Sequence, residues 1–216
     1  MSDLSQLFPL IQTLVPNDLK ISSQDLLLGN HFSKILKQLI ESISECFPEC
    51  KKTSLLINDM TSMTCQEVID KWNADYGHIQ DTVTSESMNH LWDVDGSFFS
   101  NIDLKGKCDD PEFAESMSEL YRYITRLILI SKIDIVVTRE TQDKIYLYFN
   151  SVLLALENND MKRIEDSVES LSNDLTDKQK NDLEVAIPFF TKLLININPQ
   201  MKPLLDTLLS TNLIKN

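Results

Sequence analysis

Apolar side chains recur at spacings of three and four along most of this chain, and this spacing constrains its fold more than any other feature. Residues so spaced share one face of an α-helix, whereas a strand would show alternation. The clearest example runs from Asp110 to Asn158. There Asp110 is placed to cap a helix whose first residue is Pro111, a position that suits the fixed φ of proline and needs no N–H.

This stretch carries two apolar faces separated by the polar segment Thr138–Asp143. The first face consists of Phe113, Met117, Leu120, Ile124 and Leu127, and the second of Ile145, Phe149, Val152 and Leu156. We expect a helical hairpin in which the two faces pack together, because neither can be buried alone.

Further helices are predicted before the hairpin. One apolar face consists of Leu4, Leu7, Phe8, Ile11, Leu14 and Val15. A second helix should follow the candidate caps Ser22 and Ser23 and end at Pro48. Thr64 and Glu67 match a capping box, in which the side chain of each residue bonds the backbone N–H of the other. A short helix is expected over residues 85–92.

The pattern resumes after the hairpin. A helix with Ile164, Val168, Leu171 and Leu175 on a narrow apolar stripe should follow the turn Asn158–Asp160. Thr176 and Gln179 form a second capping box. The helix that they open contains Pro188, where a kink is expected because proline removes a backbone hydrogen bond. A last helix should begin at Asn198-Pro199.

The predicted fold class is therefore all-α: a multi-helix bundle with a long central loop and at most one minor β-hairpin. The only strand-like alternations are residues 132–137 and 195–198, which are either helix ends or one small hairpin. We predict an N-terminal helical half over residues 1–109, which includes the long loop 93–109, and a C-terminal helical bundle over residues 110–216. With only four glycines in 216 residues, sandwiches, barrels and glycine-rich phosphate loops are disfavoured.

Charge and composition exclude several function classes. The net charge of −13 disfavours direct binding to nucleic acid, which depends on Lys and Arg neutralising phosphates. The most apolar run, residues 124–137, contains three charged side chains and is shorter than the roughly 20 residues of a membrane span. No secretory signal is expected, and four cysteines in a chain of this length favour free thiols in the cytoplasm.

Asp93-Val94-Asp95-Gly96-Ser97 is the sharpest local match to known chemistry. It resembles the nucleophile loop of haloacid-dehalogenase-type phosphatases, Asp-x-Asp-Gly-Thr. The resemblance implies that Asp93 attacks phosphorus and that Asp95 protonates the leaving group, with Mg²⁺ as the metal. In that family the loop follows a buried strand, and the fold contains parallel βαβ units. This sequence predicts neither, because the chain after the loop has helical spacing. The other interpretation is an Asp-rich turn closed by Gly96.

Other candidate sites are incomplete. Cys46 and Cys50 with His78 and His90 supply zinc-ligand types, but structural zinc prefers compact Cys and His pairs, and these histidines are twelve residues apart. The sequence has no nucleophile elbow, zinc-protease motif or P-loop. No catalytic residue and no cofactor is predicted, and Asp93, Asp95, Cys46 and Cys50 are the weak alternatives for a metal.

The leading functional hypothesis is a non-enzymatic, intracellular interaction or structural protein that binds another protein or itself. Only four alanines stand among many Ile, Asn, Lys and Asp residues, a bias typical of an AT-rich genome. That bias favours a component or host-interaction factor of a large DNA virus, located in host cytoplasm or virion. The alternative hypothesis is a metal-dependent enzyme or ion-binding protein that uses the Asp93–Asp95 loop. The sequence specifies no small-molecule ligand.

Overall fold

The computed structural model of the protein describes residues 28–50, 52–84, 87–100, 102, 104–108, 110–158, 160–203 and 206. Within these residues every regular element is helical and no strand occurs. The predicted all-α fold is therefore confirmed. The predicted N-terminal helix over residues 4–15, its neighbouring caps Ser22 and Ser23, and the end of the predicted last helix lie outside the described residues.

Seven helices of more than two turns form the described part of the chain. They are α1 (Leu28–Cys46), α2 (Thr53–Thr61), α3 (Cys65–Tyr76), α4 (Ala114–Val136), α5 (Arg139–Glu157), α6 (Met161–Asp174) and α7 (Asp177–Ile197). Shorter helical turns occupy Met88–Leu91, Lys105–Cys108, Pro111–Phe113 and Pro199–Met201.

The helices belong to two compact units, and the boundary between them along the chain falls between Ile135 and Val136, near the end of α4. The described part of the first unit, residues 28–135, contains α1, α2, α3 and nearly all of α4. The described part of the second begins at Val136 and contains α5, α6 and α7. The sequence-based division into residues 1–109 and 110–216, like the packing of the predicted hairpin, stays a prediction.

The first unit is built around an aromatic and aliphatic core. The Trp72 ring on α3 lies 5.4 Å from Phe32 on α1, 4.6 Å from Tyr76 and 6.0 Å from Phe99, measured between ring centroids. Trp92 packs edge-on against Phe99 at 4.9 Å. Edge-to-face geometry at these separations is the favoured arrangement of aromatic pairs. The predicted long loop therefore supplies core residues.

Polar side chains hold α4 to α3 within this unit. Ser131 of α4 is fully buried, and its Oγ lies 2.9 Å from Gln80 Oε1 and 2.5 Å from Asn73 Oδ1. The Asn73 amide nitrogen also donates to Asp134 at 3.1 Å. Buried polar groups of this kind need partners, because an unpaired one carries its full desolvation cost.

Fewer large buried side chains are described in the second unit than in the first. Among the residues whose side chains are described, the twelve largest fully buried ones all belong to the first unit. In the second unit the buried apolar side chains are Val137, Ala155, Ile164, Leu175, Ala186 and Leu193. The apolar stripe predicted for α6 is buried only in part: Ile164 and the following Leu175 are buried, Leu171 is partly buried, and Val168 is 47% exposed.

Both predicted capping boxes are present. The Thr64 hydroxyl accepts from Glu67 N at 3.2 Å and the Glu67 carboxylate accepts from Thr64 N at 2.7 Å. Thr176 and Gln179 make the same pair of bonds at 3.3 and 3.0 Å. Each box satisfies two N–H groups that a helix start would otherwise leave unpaired. Asp110 also caps as predicted, accepting from Glu112 N at 2.9 Å.

One local prediction was wrong, and the structure decides two others. The polar segment after α4 is not a connection: α5 already begins at Arg139, and Thr141 N donates to the Thr138 hydroxyl at 3.4 Å. The polar residues of this segment form the first turn of α5. The strand-like alternations at 132–137 and 195–198 are mostly the ends of α4 and α7, because helix propagation overrides a short alternating pattern. In the segment 85–92 the described helical turn covers only Met88–Leu91.

Candidate functional site

The Asp93–Gly96 segment forms a surface turn in the first unit. Ser97 N donates to the Val94 carbonyl at 3.2 Å, and Gly96 has a φ of +73°. A positive φ at the third residue of such a turn favours glycine, which has no Cβ to clash. Asp93 and Asp95 are both exposed. The residues before the turn, Met88–Leu91, form a helical turn rather than the strand that precedes a phosphatase nucleophile loop.

Helix α3 fixes the chain that follows this turn. The Asp75 carboxylate accepts from Phe98 N at 3.3 Å and from Lys71 Nζ at 2.9 Å. The Tyr76 hydroxyl donates to Ser97 Oγ at 2.8 Å and accepts from Phe99 N at 3.0 Å. These bonds satisfy backbone and side-chain groups at the edge of the aromatic core. The polar groups of α3 next to this turn therefore have structural partners.

The charge next to the turn is positive. Lys71 Nζ lies 3.4 Å from the Gly96 carbonyl oxygen and 5.1 Å from the centre of the Phe98 ring. A cation over an aromatic face gains from the ring quadrupole. An ammonium group at this position repels a second cation, so the Gly96 carbonyl is poorly placed as a metal ligand.

The predicted metal-ligand types are not brought together. Cys46 is exposed at the end of α1, Cys50 is partly buried, and His78 and His90 are exposed. Among the described residues no group of three His, Cys, Asp or Glu side chains is arranged to hold a metal ion. Asp109, at the end of the predicted long loop, lies outside the described residues.

A cleft of about 380 Å³ lies beside the Asp93–Gly96 turn. One wall is α2, where Leu55 is 61% exposed, and the other is the chain from Gly96 to Ile102. The polar groups at its edge include Lys52, Asp59 and Lys71. An open cleft with mixed charges at its edge lacks the enclosure by which ligand pockets hold a small molecule.

A second concavity lies in the second unit, between the antiparallel helices α5 and α6. We call it the α5–α6 groove. Its volume is about 470 Å³, and it is lined by Lys144, Leu147, Tyr148, Ser151, Arg163, Asp166, Ser167, Ser170 and Asp174. The two helices are linked across its floor by a 3.0 Å hydrogen bond from Ser167 Oγ to Ser151 Oγ.

One end of the groove is closed by polar contacts. The Tyr148 hydroxyl donates to the Asp174 carboxylate, and this hydrogen bond raises the pKa of Tyr148. Lys144 Nζ donates to the Asp174 carbonyl at 3.2 Å and pairs with Glu140 at 3.0 Å. The Lys144 bond is also the main cause of a lowered pKa for the Glu140 carboxyl.

The rim of the groove is apolar and incompletely buried. Leu147 is 67% exposed and Leu154 is 49% exposed. They are seven residues apart on α5, so they share one edge of the helix. Arg163 and Asp166 are exposed on α6, and no bond joins either side chain to another described residue. The groove can therefore offer apolar contact together with charges of both signs.

The sequence analysis missed the α5–α6 groove. It assigned the polar residues of α6 to solvent, although Arg163, Ser167, Ser170 and Asp174 follow one another at spacings of four, three and four. A polar stripe with helical spacing was the signal that pointed to a second face. It also missed Phe98 and Phe99 as core residues, because a loop has no periodicity by which burial could be predicted.

Comparison with protein-family models, with characterised proteins and with solved structures yields no match for this chain. In the described part of the chain no helix combines the length and apolar character needed to cross a membrane. The function of this chain is therefore inferred from the geometry of the Asp93–Gly96 turn and of the α5–α6 groove.

Proposed function

We propose that this protein is a non-enzymatic interaction protein that binds a protein partner through the α5–α6 groove. The observation that carries the proposal is an exposed apolar edge of α5, where Leu147 lines that groove and Leu154 follows seven residues later. Exposed apolar side chains that share an edge with a concave, polar-rimmed surface are typical of protein interfaces.

The contrast between the two units supports this proposal. The first unit buries its large aromatic and aliphatic side chains, and among its described residues only Leu55 and Ile135 are large, apolar and exposed. The second unit exposes Leu147, Leu154, Val168, Val185, Leu194 and Ile197. A unit that leaves this much apolar surface uncovered gains free energy when a partner covers it.

The charge of the chain narrows the class of partner. A net charge of −13 repels nucleic acids and anionic membranes over distances comparable with the screening length. The groove itself combines Lys144 and Arg163 with Asp166 and Asp174. A protein surface with both charge signs complements such a lining better than a uniformly charged polymer does.

The proposal includes an intracellular, cytoplasmic location. The described cysteines Cys46, Cys50 and Cys65 take part in no disulfide, which suits a reducing compartment. The proposal also includes that the protein comes from a large DNA virus, as an assembly component or a host-interaction factor. Fractionation of cells that contain the protein tests the location.

Site-specific photo-crosslinking tests the proposed function. The full chain is made with a benzophenone amino acid in place of Leu147 and irradiated in the cells that normally contain it. We expect discrete protein adducts that identify a partner. The matched control carries the same group in place of Leu55, which is 61% exposed against 67% for Leu147. Equal labelling from both positions, or none from Leu147, would contradict the proposal.

The Asp93–Asp95 hypothesis makes a separate prediction. If that loop held a catalytic metal, the purified protein would hydrolyse phosphate monoesters in the presence of Mg²⁺, and Asp95→Asn would abolish the activity. Because Asp95 is exposed and the adjacent Gly96 carbonyl lies beside Lys71, we expect no such activity. Hydrolysis that is lost in Asp95→Asn would replace the proposed function with an enzymatic one.

A further inference from the structure

The proposed function leaves the occupant of the α5–α6 groove unidentified, and an inference about that occupant rests on the proposed function. We propose that the occupant is a second copy of this chain. Two copies then form a two-fold symmetric dimer in which α5 and α6 of one subunit face α5 and α6 of the other. Such a contact uses the same surface on both copies, so the surface must complement itself.

The apolar part of the surface meets this requirement. Leu147 and Leu154 lie along one edge of α5, exposed by 67% and 49%. A two-fold axis through the groove brings the same two leucines of the partner subunit to this edge, and four exposed leucine side chains leave water together. Their burial favours the dimer, because apolar surface is removed from water.

The charges meet it as well. Arg163 and Asp166 lie three residues apart on the same face of α6 and both line the groove. Neither side chain bonds to another described residue. A two-fold arrangement places Arg163 opposite Asp166 of the partner subunit and repeats that pair on the other side of the axis. One surface therefore provides two reciprocal ion pairs.

The charge of the whole chain makes this face the favoured site of self-contact. Each copy carries −13, so most approaches between copies are repulsive. The charged residues that line the groove are two cations, Lys144 and Arg163, and two anions, Asp166 and Asp174. Two copies that meet here bring a balanced face against a balanced face, which removes the local repulsion and fixes the orientation.

The floor of the groove lets the two copies approach closely. Ser151 and Ser167, which bond across it, and Ser170 have small side chains. Helix α6 has 14 residues, which is a length of about 21 Å. Two adjacent helices of this length present a face comparable to the lower range of stable interfaces, about 600–800 Å² per partner.

The first experiment measures the mass of the full chain by sedimentation velocity from low to high micromolar concentration. We expect a concentration-dependent species of twice the 24.8 kDa chain mass. Leu147→Asp should weaken the dimer about tenfold or more, because it places an unpaired charge among the leucines that the dimer buries. Leu55→Asp, an equally drastic change at an exposed leucine of the first unit, should leave the dimer unchanged. Circular dichroism confirms that both variants fold.

The second experiment exchanges the charges. Arg163→Asp and Asp166→Arg should each weaken the dimer, because each places like charges opposite one another. The double variant Arg163→Asp with Asp166→Arg restores opposite charges across the axis and should recover most of the affinity. Only contact between the two residues in different copies predicts that recovery, since the side chains do not pair within one chain.

The outcomes separate this inference from the proposed function. If the chain stays monomeric while the photo-crosslinker at Leu147 captures a different protein, the proposed function stands and the dimer is wrong. If the crosslinker instead joins Leu147 to residues 1–27 of its own chain, that segment is the occupant and the dimer is again wrong. A dimer that is unaffected by Leu147→Asp and by both charge changes lies on another surface, which also overturns the inference. A monomer that gives no adduct contradicts both.

Discussion

The Tyr76 hydroxyl shows how one buried polar group organises the chain around it. Tyr76 is fully buried, and its hydroxyl donates to Ser97 and accepts from Phe99 N. Burial raises the pKa of Tyr76 well above its usual range. Tyr76 follows Trp72 by four residues in the sequence, and this helical spacing predicts that both side chains lie on the buried face of α3. It gave no sign of the hydroxyl partners, because they lie in a segment without periodicity.

Removing this hydroxyl tests its role. Tyr76→Phe should destabilise the protein by about 1–3 kcal/mol, because Phe99 N and Ser97 Oγ lose a buried partner. Urea unfolding followed by tryptophan fluorescence measures the change. The control is Tyr121→Phe, since the Tyr121 hydroxyl has no hydrogen bond among the described residues, and we expect a change within about 0.5 kcal/mol. Equal effects in the two variants would show that the Tyr76 hydrogen bonds are not needed.

The pH dependence of Tyr76 has a definite sign. A tyrosine whose pKa is raised by folding stays neutral in the folded protein, whereas the unfolded chain ionises near its ordinary pKa of about 10. The stabilisation is therefore complete at neutral pH and is lost as the pH rises above that value. Tyr76→Phe should show a shallower loss of stability in alkaline solution than the unmodified chain does.

At the scale of the helix, the capping boxes were the most predictable features. Thr64-x-x-Glu67 and Thr176-x-x-Gln179 specify their geometry within four residues, so no tertiary information is needed. The start of α5 was not predictable in the same way. Thr138 is followed by a run of polar residues that fits a loop equally well, and only the apolar residues further along decide in favour of a helix.

The two boxes differ in charge, which leads to a prediction. The bond from Thr64 N lowers the pKa of the Glu67 carboxyl. As the pH falls, the Glu67 carboxyl therefore takes up a proton at a higher pH in the unfolded chain than in the folded protein. The stabilisation is lost as the pH drops through the folded-state pKa, which lies below the ordinary value of about 4.3. Glu67→Gln keeps the box, as Gln179 shows, without an ionisable group. The stability difference between the two proteins should shrink in acid.

Thermal unfolding followed by circular dichroism at a series of pH values measures this difference. Gln179→Glu is the complementary variant, and it should introduce a similar acid dependence at the start of α7. A difference between Glu67→Gln and the unmodified chain that stays constant from neutral to acid pH would show that the Glu67 charge does not stabilise α3.

The packing of α4 on α3 depends on a second polar element. Ser131→Ala should cost about 1–3 kcal/mol, because the oxygens of Gln80 and Asn73 would be left buried without the serine hydroxyl. Ser118→Ala, at an exposed position of the same helix, is the matched control and should be nearly neutral. Amide exchange along α3 should rise only in Ser131→Ala. Similar exchange in both variants would argue against a role for this cluster.

At the scale of the molecule, the large buried side chains that the structure describes are concentrated in the first unit, and this predicts separate unfolding. Both tryptophans of the chain, Trp72 and Trp92, are buried in the first unit. Fluorescence therefore follows that unit, whereas circular dichroism follows the helices of both. We expect the dichroism signal to fall at lower urea than the fluorescence signal, because fewer of the described large side chains are buried in the second unit.

A core variant of the second unit sharpens this test. Ile164→Ala removes a buried side chain of α6 and should cost about 2 kcal/mol or more. It should move the early part of the dichroism transition and leave the fluorescence transition in place. Transitions that coincide in both proteins would show that the chain unfolds as one cooperative unit.

Sequence reasoning reached the fold class but not the boundary at Ile135 and Val136. Helical periodicity is a property of neighbouring residues, so it predicted α4 as a helix without showing where along α4 one compact unit ends. The same limit applies to the groove. Its lining comes from α5 and α6 together, and the spacing within either helix does not say which faces meet.

The hydrogen bond between Ser151 and Ser167 has a consequence for how this surface can vary. Two short side chains act as the spacer between α5 and α6, so a larger residue at either position would push the helices apart and widen the groove along its whole length. Changes at the rim, in contrast, alter only what is touched there. Substitutions should therefore retune preference for an occupant through the rim, while the width of the cleft stays set by two hydroxyl groups.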